Sequence, residues 1–375
     1  NITDVLNALN NRLADMLIPY ERDLSMTFQL VGNNDIVMYQ DSINDPFSNP
    51  TNTGVSITEA ENTIEANFNA ADYDIGHGYH EVPCQSGCSI AGLAGTPVAC
   101  RDGLKARAWT FQGNGSPSNT VFSHEFGHQL GCLHTIYGCG TTGCHRVEPG
   151  QGATIMSTSA GCTAQDDYAD RVDFFHARSI DAILEYTLNG EFNDENFSCD
   201  TFTVTTSCAA QSPTNNTIPT ADANPNALNL TIPISTPFFL EGSASDPDSD
   251  PWTANWVDYN SDPNNSDIPD NTGNSTSAPL FRWFPPSTDV IRYFPQLSSI
   301  LDGNNTTGTG EVLPSVGRSM DFRFIVRDNA MPYGALACDE LTVTVDGTSG
   351  PFQITSQNSG ASWQSGDMET ITWDV

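Results

Sequence analysis

Residues 4–24 place Val5, Leu6, Leu9, Leu13, Met16 and Leu17 three and four apart, so the chain opens on an amphipathic helix. Pro19 is expected to end or kink it, because proline removes a helix N–H and crowds the preceding turn. Residues 25–32 (SMTFQLVG) and 35–42 (DIVMYQDS) alternate or run apolar, the pattern of strands. A second helix is predicted over residues 58–71, followed by a strand in YDIGHGYHEV and two more in SIAGLAG and KARAWTF. Strand and helix alternate here, which predicts an α/β layer with a helix near residues 119–132 laid against it.

The pattern changes after Phe197. Residues 199–221 are rich in Thr, Ser, Asn and Pro, as a linker is. Residues 222–347 then carry short β-type runs (LNLTIPI, PFFLEGSA, WTANWV, LFRWF, MDFRFIV and ELTVTV) between Asp, Pro, Asn and Gly clusters. This predicts an all-β, immunoglobulin-like sandwich, with DYNSDPNNSDIPDNTGNSTSAP as a long polar loop within it. Residues 348–375 begin a further β module that the chain does not complete. The expected organisation is an α/β domain over residues 1–198, a linker, the sandwich and this last piece.

The string that carries chemistry is SHEFGHQLGCLHT, residues 123–135. His124 and His128 are four apart, so a helix projects both from one face and both can bind one Zn²⁺. Gly131 lets the backbone leave the helix with positive φ and turn back, bringing His134 in as third ligand. Three neutral nitrogens leave a fourth position open, as in catalytic rather than structural zinc sites. Glu125 lies beside the first histidine and can take a proton from a zinc-bound water, while the zinc acts as Lewis acid on a peptide carbonyl. Only seven histidines occur in 375 residues, so scattered histidines on an amphipathic helix are a poor account of the pattern.

The extended string HExxHxxGxxH resembles the signature of the metzincin clan of zinc endopeptidases. Met156, in ATIMSTSAGC, is similar to the clan's Met-turn methionine, a hydrophobic floor under the three histidines. Within the clan, residues 25–190 resemble reprolysin-like (adamalysin-like) proteases, especially secreted bacterial members with β-sandwich tails. GLAGTPVAC is similar to the segment leading into their zinc helix, VEPGQGATIM to the Met-turn approach, and FFHARSIDAI to the C-terminal helix. The resemblance implies a catalytic domain with a twisted mixed sheet plus helices, protein or peptide substrates, and a specificity pocket walled by residues 157–167. It also implies an edge strand near SIAGLAG that pairs with extended substrate. Two departures stand out: Thr135 occupies the place where animal reprolysins carry Asp and pappalysin-like metzincins often carry Thr, and Thr158 stands where astacins and serralysins place a zinc-reaching Tyr.

Ten cysteines without zinc-ribbon spacing imply disulfides made outside the cytoplasm, hence a secreted or cell-surface protein. Reprolysin-like proteases have a short bridge where Cys139–Cys144 would lie. Cys132–Cys162, Cys84–Cys88 and Cys100–Cys199 are the further pairs expected, leaving Cys208–Cys338 to tie linker to sandwich. The alternative for Cys338 is a free thiol. No serine-nucleophile elbow, phosphate loop or dinucleotide fingerprint occurs.

The net charge of −33 is spread over both halves, which carry 17 and 16 net negative charges. Such a surface repels nucleic acid and anionic membranes, and no apolar run approaches the ~20 residues of a membrane span. Residue 1 is Asn with no signal-peptide pattern after it, consistent with numbering from a processed N-terminus. Asp246, Asp248 and Asp250 alternate in SDPDSDP, and Asp328 and Asn329 supply more oxygens, so Ca²⁺ binding is expected there in addition to zinc, with a solvated acidic loop as the alternative. His77 and His80 alternate along a predicted strand and are expected to be structural or surface residues. The sandwich is a candidate for attachment to a surface or substrate. The rival reading, an adhesion protein with a decayed protease domain, conflicts with the intact Glu125 and its three histidines.

Overall fold

The computed structural model describes residues 2–41, 43–48, 53–80, 92–111, 118–138, 145–157, 172–193, 201–203, 210–262, 272–303, 310–357 and 359–375. Helix α1 (Ile2–Leu24) forms as its pattern requires, with Asp4 in the first turn facing the positive end of the helix dipole. It runs through Pro19 rather than ending there. Tertiary contacts hold the last turn: the Tyr20 ring lies edge-on to Phe28 and Phe175, and its hydroxyl donates to Ser123 O at 2.8 Å.

The two strands expected over residues 25–42 do not form in the described part, residues 25–41; one 3₁₀ turn, Asn34–Val37, interrupts irregular chain. The apolar run is used for packing instead of a ladder, with Phe28 meeting Tyr20 and Phe126 edge-on. Helix α2 (Thr53–Asn67) begins before the expected segment and stops short of its end. There Asn69 and Asp72 form a reciprocal capping box that starts a separate turn.

Strands β1 (Gly78–His80), β2 (Gly92–Ala94) and β3 (Ala108–Phe111) make a mixed sheet in the order β1-β3-β2, parallel then antiparallel, so β2 is an edge among the described residues. Helix α3 (Ser118–Gln129) packs on this sheet. Beyond it, β4 (Ile136–Tyr137) pairs in parallel with β5 (Glu148–Pro149). Helix α4 (Ala177–Asn189) is capped by the His176 ring and closed by Gly190 in the left-handed region. It buries Ile180, Ile183 and Tyr186 in the same core as Met16, Phe126 and Met156. Strand β6 (Glu191–Asn193) then pairs with β7 (Thr201–Thr203).

The remaining strands are β8 (Thr220–Asp222), β9 (Thr231–Pro233), β10 (Phe238–Glu241), β11 (Ser243–Ser245), β12 (Thr253–Asp258), β13 (Ile291–Phe294), β14 (Arg318–Arg327), β15 (Leu336–Asp346), β16 (Gln353–Ile354) and β17 (Trp373–Asp374), with a short helix α5 (Leu297–Leu301) after β13. A four-stranded sheet has the order β12-β14-β15-β9, while β10–β13, β8–β11 and β16–β17 are two-stranded pairs. Trp256, Phe281, Phe294, Phe322 and Phe324 fill the core between them. LFRWF is buried but is not a strand: the Asp258 carboxylate takes the N–H groups of Leu280 and Phe281 at 2.8 and 3.2 Å, replacing a ladder partner.

Strand β14 shows how the two parts of the chain meet. Its first half alternates, with Met320 and Phe322 buried and Ser319 and Asp321 exposed; from Phe324 to Arg327 every residue is buried. The second face is covered by the N-terminal part, where Ala153 and Ala177 pack with Val257, Trp283 and Ile325. Arg327 donates to Asp23 at 2.8 Å with both side chains fully buried. Burial by itself would raise the Asp23 carboxyl, but Arg327 and Arg22 outweigh it and hold it below the ordinary range. Arg323 bonds Asp181 of α4 at 2.5 Å, and the Tyr259 hydroxyl donates to the same carboxylate. The α/β part and the β part therefore share a packed, polar-locked interface.

Candidate metal centre

Helix α3 carries His124 and His128 one turn apart, and their Nε2 atoms stand 3.1 Å from each other. The chain then leaves the helix by a Schellman turn: Cys132 N–H reaches Gly127 O, Gly131 N–H reaches His128 O, and Gly131 has φ +99°. This reversal returns His134, whose Nε2 lies 3.2 Å from both other Nε2 atoms. Nitrogens bound tetrahedrally to one zinc at 2.0–2.1 Å stand about 3.3 Å apart, so the three imidazoles fit that ion. Among the described residues they form the one group of His, Cys, Asp or Glu able to hold a metal.

The opposite ring nitrogens are already engaged. His124 Nδ1–H donates to Ile155 O and His128 Nδ1–H to Cys132 O, each at 2.7 Å. Those bonds place the proton on Nδ1, so each Nε2 presents a lone pair, the tautomer a metal needs. Burial lowers the His128 pKa to about 4, which also favours the neutral ring.

Met156 is fully buried beneath α3. A Cβ on Gly127 would lie 2.5 Å from its sulfur, so only glycine lets the thioether approach the helix this closely. Glu125 is 5% exposed, and burial pushes its carboxyl up to about 8; a cation at the histidines acts in the opposite sense. Its Oε2 makes no hydrogen bond, and its other end lies against the backbone of Gly92 on the edge strand.

Several supporting residues escape a reading of the sequence. Gly127 carries a signal, because glycine inside a helix is unfavourable by about 1 kcal/mol and marks a close approach. The Ile155 and Cys132 carbonyls carry none, since every residue has one. His77 is structural, as expected: its nitrogens pair with Gln129 Oε1 and Thr110 Oγ1 at 2.9 and 2.8 Å, and its ring stacks on Phe126. His80 lies with its ring centroid 6.5 Å from Trp109, away from the metal group.

Two cysteine pairings are corrected. Cys132 is a free, buried thiol rather than a partner of Cys162; its Sγ–H is directed at Ser179 O, 3.3 Å away, in the first turn of α4. Cys338 is a free thiol, the alternative left open for it, and not a partner of Cys208; it lies exposed on β15. Cys100 is disulfide-bonded, while Cys84, Cys88, Cys139, Cys144, Cys162, Cys199 and Cys208 lie outside the described residues, as does the specificity segment beyond Ser157.

The acidic turn does not converge as a ligand group. Asp246 Oδ1 accepts from the N–H groups of Asp248 and Asp250, Asp248 is occupied by Thr217, and Asp328 by Ala330, Ala335 and Asn216. The four acids are nevertheless close enough that burial, Asp246, Asp328 and Asp248 together raise the Asp250 carboxyl.

Two histidines on one helix, a third beyond a glycine turn and a methionine floor define a metal-dependent hydrolase of the metzincin class. Residues 1–186 match the family model of the metallo-peptidase family M12B, reprolysin-like, and this part of the chain belongs to that family. It is a zinc metalloprotease domain. No curated protein matches the chain.

Proposed function

We propose that this protein is a secreted zinc endopeptidase in which Glu125 is the general base. The observation that carries the reading is the convergence of three Nε2 atoms within 3.2 Å, with Glu125 as the neighbour of the first ligand. When bound, zinc supplies a Lewis acid toward water and toward the peptide carbonyl. His124, His128 and His134 would hold it. Glu125 accepts a proton from the attacking water and returns it to the leaving amine, which requires a carboxylate in a dry pocket beside the metal. Strand β2, an edge, offers unpaired main-chain groups to an extended substrate, which favours cleavage within a chain over trimming of its ends.

In the same reading the β part is immunoglobulin-like, supported by its antiparallel strands around an aromatic core. Extracellular placement is supported by the bonded Cys100. Attachment to a surface or substrate is a further task the β part could carry.

The deciding experiment is Glu125→Gln. Zinc content should stay at one per chain, while casein and peptide hydrolysis fall by at least ~10²–10⁴-fold. Wild-type activity should vanish with a chelator and return with zinc. Near-normal turnover of the zinc-loaded variant would reject the assignment.

A further inference from the structure

Thr135 follows the third ligand directly, and its side chain is fully buried. Its hydroxyl donates to Glu148 Oε2 at 2.5 Å. The same oxygen accepts from Thr154 Oγ1 at 2.6 Å, and Oε1 accepts from the N–H groups of Ala153 and Thr154 at 2.8 and 3.2 Å. Glu148 is 1% exposed, so this carboxylate has exchanged its hydration for four protein donors.

Those donors come from two places that matter to the metal group. One is the residue next to His134. The others lie two and three residues ahead of Met156. Main-chain bonds run the same way: Glu148 N–H donates to Thr135 O at 2.8 Å, and Thr135 N–H to Met156 O at 3.2 Å. Gly152, at φ +65°, leaves the room, since a Cβ there would stand 3.1 Å from Glu148 Cβ and Cδ.

A carboxylate is an expensive way to join two loops. Burying one is unfavourable by several kcal/mol unless donors and a nearby positive charge compensate. A glutamine of the same shape could accept the two main-chain N–H groups and donate to the two hydroxyls, because hydroxyls also accept. The charge therefore needs a reason beyond connectivity, and a divalent cation on the adjacent imidazoles provides one.

The geometry points to Glu148 as a positioning residue of the metal centre. It fixes His134 and the Met156 floor relative to each other, and its charge favours retention of the divalent ion. This rests on the zinc-peptidase reading above. Thr135 is the relay: its hydroxyl transmits the position of the carboxylate to the ligand that lies off the helix.

The test uses the full chain with Glu148→Gln, which keeps shape and removes charge, beside Glu148→Ala. Glu311→Gln serves as the control, because Glu311 is equally buried but pairs with Arg292 in the β part. Zinc loss to a chromogenic chelator should be about 10–100-fold faster in Glu148→Gln, the range for lost outer-shell partners of metal ligands. Its kcat should fall with KM unchanged, and the visible bands of the cobalt-substituted protein should shift. Glu311→Gln should lower the melting temperature without moving any of these. Should Glu148→Ala fail to fold, Glu148→Gln still decides. A Glu148→Gln protein with wild-type zinc loss, cobalt spectrum and kcat overturns the inference while the peptidase reading stands. A wild-type protein that neither holds zinc nor cleaves peptides overturns both.

Discussion

Replacing Gly92 by alanine should disable the enzyme without unfolding it. Gly92 lies on edge strand β2, opposite Thr110 of β3, and its backbone is the wall against which Glu125 rests. A Cβ built there falls 2.6 Å from both Cγ and Oε1 of Glu125, where ordinary contact begins near 3.4 Å. The carboxylate must therefore retreat by about 0.8 Å. No hydrogen bond to Oε2 holds it in place. A displacement near 1 Å of a reacting group is worth roughly 10²-fold in rate. Folding should not suffer: Gly92 does not sit in the left-handed region, and alanine in place of glycine gains about 0.4–1 kcal/mol through the unfolded chain. The assay is kcat/KM on an internally quenched peptide, with zinc content and thermal melts on the same samples. Gly32→Ala, whose Cβ meets nothing within 4 Å, is the reference for a neutral change. Gly92→Ala activity within about threefold of wild type, with zinc retained, would refute the placement of Glu125 as the base.

Four further outcomes are expected. Arg327→Met leaves Asp23 buried with Arg22 as its remaining cation and should destabilise the chain by about 3–5 kcal/mol in denaturant melts; adding Asp23→Asn should recover most of the loss. His176 is held neutral, its pKa lowered to about 3 by burial and then by Arg323, so the unfolded chain binds a proton that the folded chain refuses between the ordinary value near 6.5 and about 3. Stability from this residue is thus complete above pH 6.5 and lost as pH falls through that window, and His176→Asn should flatten the pH dependence of the melting temperature there. Under native conditions iodoacetamide should label the exposed Cys338, slowly because partial desolvation and the nearby Asp181, Glu340 and Asp339 carboxylates raise its thiol, whereas Cys132 should react only after unfolding. Millimolar calcium should leave the melting temperature of the wild-type chain unchanged, because Thr217, Asn216 and main-chain N–H groups already take up the carboxylates of the acidic turn; a rise absent from Asp248→Asn would restore a cation there.

The metal group is legible in the order of residues because its geometry is local. His124 and His128 need only one helical turn, Gly131 only a positive φ, and His134 only the reversal that follows. Family membership rests on the match over residues 1–186, of which that string is one part. The helix at residues 2–24 is legible too, because a one-sided apolar stripe needs a core but not a particular partner, whereas the helix at residues 177–189 is expected only from the family resemblance of FFHARSIDAI. Short apolar runs are not. SMTFQLVG and LFRWF read as strands, yet one packs on Tyr20 and Phe126 and the other hangs its N–H groups on Asp258, since a ladder needs a neighbour that no local pattern names.

What only the tertiary structure decided depends on residues far apart in the chain. The linker composition after Phe197 suggests separable parts, but Asp23 meets Arg327 and Ala153 meets Trp283 across a shared core. Cysteine counting pairs Cys132 and leaves Cys338 either paired or free, while packing turns the first toward α4 and strand alternation turns the second outward. Glu148 reads as one more acid in a chain of −33; four donors from two loops make it a buried anchor beside the third ligand. Periodicity and spacing determine what a segment can do with its own neighbours. Burial, hydrogen-bond partners and charge pairs belong to contacts made across the fold, and these set how firmly the histidines are held.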